Sequence, residues 1–64
     1  MDSGALHVKN EKVNEAKKLL TERGIKVFHI EDGKGYKSLF IDVSNLETGS
    51  ELLERRGIEN RRSH

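Results

Sequence analysis

Tyr36 and Phe40 stand four residues apart in Lys34-Gly35-Tyr36-Lys37-Ser38-Leu39-Phe40-Ile41-Asp42. In an extended chain, residues two and four apart share a face, so both rings would project together. Rings exposed on a sheet stack unpaired bases, and neighbouring Lys or Arg hold the phosphates. His7, in Leu6-His7-Val8-Lys9-Asn10, offers a further plane, with Lys9 on the same side of an extended chain. Arg55-Arg56 and Arg61-Arg62, with His64, form the densest basic cluster, and Lys34 and Lys37 flank the first ring. Such clusters bind phosphate groups. The plainer reading of Arg55 and Arg56 is a solvated helix end that the helix dipole favours.

Other chemistries find little support. The chain has no cysteine, which excludes disulfides, thiolate metal sites and cysteine nucleophiles. His7, His29 and His64 have no partner ligand at a metal-binding spacing. Asp32 and Asp42 flank a hairpin in the manner of some nucleases, but Asp42-Val43-Ser44 lacks the lysine such a site requires. Gly33-Lys34-Gly35 has no third glycine and no following helix, so it reads as a turn. No Ser or Thr shows a His–acid partner set. The expectation is a non-enzymatic chain with no cofactor and no metal.

At 64 residues the chain makes one domain, residues 1–64, with 1–4 and 60–64 expected as loose termini. A core this small is marginal, which keeps self-association open. Twelve Lys and Arg against eleven Asp and Glu leave a net charge of +1, so charge distribution, not total charge, must decide any affinity for nucleic acid. No apolar run is long enough to cross a membrane, and the first residues lack a signal-peptide pattern. A soluble, cytoplasmic protein with no membrane partner is expected.

The elements that would position these residues follow from periodicity. Leu39, Ile41 and Val43 alternate with Ser38, Phe40 and Asp42, the period of a half-buried strand with its aliphatic set inward. Ala5–Lys9 alternates likewise, with Leu6 and Val8 inward. Asn10 is a good helix cap, and Val13, Ala16, Leu19 and Leu20 give the next stretch an apolar stripe that Gly24-Ile25 ends. Ile25–Glu31 reads as a second strand whose inward face is either Lys26, Phe28 and Ile30 or Ile25, Val27 and His29, and Phe28 and Ile30 are the favoured inward pair. It joins the central strand through Asp32-Gly33 and Gly35. Ser44 with Glu47 predicts a capping box for a second helix, whose stripe is Leu46, Leu52 and Leu53 and whose end is Gly57-Ile58. Gly49 weakens that helix by about 1 kcal/mol relative to alanine.

The halves resemble each other. Leu19–Ile25 matches Leu52–Ile58 at an offset of 33, and Leu6–Asn10 matches Ile41–Asn45 at an offset of 35, which predicts a second helix two residues shorter. Two such units give βαββα(β), with a short and frayed last strand over Ile58–Arg62. The fold expected is α+β: a ferredoxin-like sandwich of one antiparallel sheet with two helices packed on one face. There the third strand separates the first two, so His7 and His29 would not touch.

Leu6-His7-Val8-Lys9-Asn10 resembles the first-strand signature of the RNA-recognition motif, with His7 at the stacking position. Lys34-Gly35-Tyr36 resembles the opening of that family's third-strand signature, and Phe40 follows on the same face. Lys37 and Ser38 stand where the family carries a small residue and a second aromatic. The resemblance implies single-stranded RNA bound on the open sheet face. The candidate nucleic-acid-binding residues are His7, Lys9, Lys34, Tyr36, Lys37, Phe40, Arg55, Arg56, Arg61 and Arg62. The alternative is a regulatory or inhibitor module that buries the same face in a homodimer or against a protein partner.

Overall fold

A computed structural model describes residues 2–63. Strand β1 (Ser3–Lys9) enters a 3₁₀ turn (Asn10–Lys12) and helix α1 (Val13–Glu22). Strands β2 (His29–Asp32) and β3 (Tyr36–Asp42) form a hairpin. A second 3₁₀ turn (Val43–Asn45), helix α2 (Leu46–Arg55) and strand β4 (Asn60–Ser63) follow. The four strands make one open sheet in the order β2-β3-β1-β4, every neighbouring pair antiparallel, and the class is α+β.

One face of the sheet holds the core. Leu6 and Val8 of β1 and Leu39 and Ile41 of β3 are fully or nearly buried against Val13, Ala16, Leu19 and Leu20 of α1 and Leu46 and Leu53 of α2. The inward set of both long strands is the one their alternation predicts. Both helices end in the same device. Gly24 and Gly57 have φ of +78° and +74°, and the Ile25 and Ile58 amides each donate to the carbonyl five residues back at 2.9 Å. Those are the bonds of the Schellman motif, which returns the buried Ile25 and Ile58 to the core. Gly49 has a packing reason for its place in mid-helix. A β-carbon there would lie 3.1 Å from side-chain atoms of Leu20 and Leu6, so its absence lets α2 close on the sheet.

Several expectations are corrected. Residues 3–4 and 60–63 are not loose but paired in β1 and β4: Ser3 is the partner of Asp42 and Gly4 of Ile41, and Asn60 is the partner of Val8 and Ser63 of Ala5. The start of β4 is tied to α2, because the Ser50 hydroxyl donates to Asn60 Oδ1 at 2.5 Å and Asn60 Nδ2 donates to the Ile58 carbonyl at 3.1 Å. Neither α-helix has a side-chain cap. Each is preceded by a 3₁₀ turn, and only the second turn is capped, by Asp42, whose carboxylate accepts from the Ser44 amide and hydroxyl at 2.9 and 2.8 Å. Asn10 and the Ser44/Glu47 pair therefore do not cap. The strand offset of 35 also fails. Strand, turn, helix and terminal glycine all repeat at 33, so β1 aligns with β3 from Ser3 and Tyr36 onward, and both helices have ten residues.

The second strand is shorter than expected and its inward set differs. The Phe28 amide donates to the Phe40 carbonyl at 2.8 Å, and His29 is the register partner of that same Phe40. Two residues thus meet one, the count of a β-bulge. The extra residue explains why Val27 and Ile30, three apart, both pack on the core, while Phe28 stays 42% exposed.

Candidate nucleic-acid interface

The helices leave the second sheet face uncovered, and the strand register places its side chains. By strand alternation Tyr36, Ser38 and Phe40 point away from the core residues Leu39 and Ile41, as do Ala5, His7 and Lys9 away from Leu6 and Val8; the small Ala5 and Ser38 are themselves buried between the larger side chains of this face. Lys9 is the partner of Tyr36, His7 of Ser38, and Ala5 of Phe40. On the flanks His29 lies beside Phe40 and Arg61 beside His7. Among the described residues the face therefore carries four planar rings in two pairs. His7 and Tyr36 meet edge to face at 5.6 Å between ring centres with an interplanar angle of 87°, and His29 and Phe40 meet at 5.7 Å and 40°. Such geometry holds each ring at a defined angle. Tyr36 is 43% exposed and its ring lies across Gly33, where a β-carbon would come within 2.5 Å of it. The missing side chain makes room for the ring.

His7 and Ser38 share a hydrogen bond of 2.7 Å between Nδ1 and Oγ. With the imidazole proton on Nε2, the Ser38 hydroxyl donates to Nδ1. Nothing in this register gives His7 the acid that would orient it as a base, since its neighbour on the other strand is Arg61. The bond links β1 to β3 and steadies the His7 ring.

The ten candidates divide. His7, Lys9, Tyr36, Phe40 and Arg61 share the open face, and Lys34 is exposed in the turn beside Tyr36. Lys37 alternates to the other face and pairs with Asp32. Arg62 is the partner of Leu6 and joins Glu47, Ser50 and Glu51 of α2 around a hollow behind the sheet. Arg55 and Arg56 are exposed at the end of α2, and His64 lies outside the described residues. Among its described residues the densest basic cluster in the sequence is thus split, with Arg61 alone placed beside a ring, that of His7. Reasoning from sequence missed His29, which the extra residue in the incoming strand sets beside Phe40. It also missed the Ser38–His7 bond, which depends on register between distant strands.

Charge on the face is polarised. The β2 side is acidic, with Glu31 exposed and 3.5 Å from His29. The cations Lys9 and Arg61 lie toward the β4 side, near Tyr36. Asp42 would extend the face beyond Phe40, but its carboxylate is engaged by Ser44, whose amide and then hydroxyl hold its pKa below the usual aspartate range. At the Tyr36 end an open groove of about 820 Å³ runs from the face around the ends of β1 and β4 to the loop after α2. No cluster of metal-ligating side chains occurs among the described residues, and none of the helices there is long and apolar enough to cross a membrane. No protein family, curated protein or solved structure matches this chain.

Proposed function

We propose that this chain is a small, non-enzymatic module of ferredoxin-like architecture that binds single-stranded nucleic acid, RNA in the first place, on its open sheet face. The supporting observation is the company Tyr36 keeps: a 43% exposed ring braced by His7, with Lys9 beside it and Arg61 beside His7. A splayed base has a ring to stack on, and its phosphates have cations within the same few residues. A cytoplasmic location goes with this reading.

The test is a titration of isotopically labelled protein with random single-stranded RNA, followed by NMR, beside a mass measurement by sedimentation. Binding should shift the amides of His7, Lys9, Tyr36 and Arg61 and leave the helix amides in place, with one protein per complex. A stable dimer that ignores RNA would refute the proposal. It would support the second reading, a protein-interaction module, which the 42% exposed Phe28 beside the same face favours.

A further inference from the structure

The groove at the Tyr36 end carries a feature that phosphate binding does not explain. Its lining residues include Tyr36, His7, Lys9 and Arg61, but also the acidic residues Glu54 and Glu59. Both glutamates are exposed, and among the described residues neither lies within ion-pair distance of a cation. Glu59 immediately precedes β4, one step beyond the Val8–Asn60 pair. It is therefore level with Lys9, and β4 alternation puts it on the side of Arg61. Across this end the order is Tyr36, Lys9, Glu59: a ring, a cation and an unpaired anion.

A carboxylate there repels a bare phosphate chain. It becomes favourable only if the ligand brings hydrogen-bond donors to it. Among the four RNA bases, guanine alone presents two adjacent N–H donors, N1–H and the N2 amino group, on its pairing edge. Adenine and cytosine set one amino group beside a ring nitrogen that accepts, which a carboxylate opposes. Uracil offers a single N–H between two carbonyls. We infer that the groove takes a guanine of a single-stranded nucleic acid, stacked on Tyr36 and read on its pairing edge by Glu59, with the adjoining phosphate on Lys9 and Arg61. The groove volume lies within the range of sites that hold ligands of nucleotide size. Asn60, on the same wall, is not a reader, because its amide is committed to Ser50 and Ile58. This inference rests on the nucleic-acid reading and deepens it by naming the base.

The chain reports on itself, since Tyr36 is its single tyrosine and there is no tryptophan. A base stacked on Tyr36 quenches tyrosine emission. Eight-residue RNA oligomers of alternating U and G, U and A, or U and C, and an all-U oligomer, are titrated against wild type, Glu59→Gln and Glu54→Gln. The expected result is quenching by all, with the U/G oligomer bound about tenfold or more tightly, as a good bidentate base contact provides. Glu59→Gln should reduce that preference to near parity and leave the other affinities level or slightly raised, while Glu54→Gln keeps it. Equal quenching by all four oligomers overturns the guanine assignment and leaves the nucleic-acid reading standing. A preference that survives Glu59→Gln, or binding without quenching, overturns the reader or the groove. Failure of every oligomer to bind removes both readings. Quenching by a lysine-rich peptide in their place assigns the carboxylates to a basic protein partner.

Discussion

Raising the salt concentration is the perturbation that best separates the face seen here from a generally basic surface. Each phosphate contact on a single strand contributes ~0.7 to the slope of log affinity against log salt. The candidate set contains seven cations: Lys9, Lys34, Lys37, Arg55, Arg56, Arg61 and Arg62. If all engaged phosphate, the slope would be about 5, and affinity would fall roughly a thousandfold between 50 and 200 mM salt. The structure keeps Lys37 on Asp32, turns Arg62 behind the sheet and leaves Arg55 and Arg56 on α2. Of those seven, Lys9, Lys34 and Arg61 stand on or beside the ring face, so the slope should be about 2 and the loss roughly twentyfold. The assay is Tyr36 quenching by a U/G oligomer across that salt range. Lys9→Gln and Arg61→Gln should each lower the slope by ~0.7, and Arg55→Gln and Arg62→Gln should not change it. A slope near 5, or one that falls with Arg62→Gln, refutes the one-faced interface.

Three further outcomes are expected. Gly24→Ala and Gly57→Ala should each destabilise by about 1 kcal/mol in thermal melts, because the added methyl meets nothing yet the backbone stays left-handed; melts unchanged by both would remove the helix-end assignment. Ile41→Ala should cost about 2–5 kcal/mol, against a total of roughly 3–10 for a domain of this size, because Ile41 is fully buried in the core. Phe40→Ala, on the open face beside His29, should cost clearly less while weakening RNA binding, and the reverse order of melting temperatures would show that the face is misassigned. Asp42 has its pKa lowered in the folded chain by the Ser44 amide and hydroxyl, so its contribution is present above the ordinary aspartate range, near pH ~4, and is lost as pH falls through the folded value. Asp42→Asn should therefore flatten the acid limb of stability against pH, and an unchanged limb would show that the Ser44 bonds do not form in solution.

Features that depend on near neighbours in the chain were legible from residue types alone. Gly24-Ile25 and Gly57-Ile58 end helices because glycine alone adopts the left-handed conformation cheaply and the next aliphatic returns to the core. The alternation in β1 and β3 settles which residues face the helices, because burying Leu6, Val8, Leu39 and Ile41 outweighs any other arrangement of those strands. Element order, the α+β class and the open face with Tyr36, Phe40 and His7 all follow from such local patterns.

Features that depend on pairing between distant strands emerge once the sheet has assembled. Arg61 and Arg62 are adjacent and chemically alike, so nothing local says which one joins the rings. The β1–β4 register, anchored by Asn60 on Ser50, chooses Arg61, and a shift of one residue would exchange them. His29 reaches Phe40 only because Phe28 and His29 both meet that residue, which reverses the strict alternation that had set Phe28 inward. The helix starts moved for a local reason, the bonds from Ser44 to the Asp42 carboxylate two residues before it. Asp42 stands where its counterpart at the offset of 33 is Lys9, and a carboxylate caps the turn that a lysine cannot. The common chemistry of the site is thus written in residue types, while its membership is set by register, because a face exists only once strands far apart in the chain have paired.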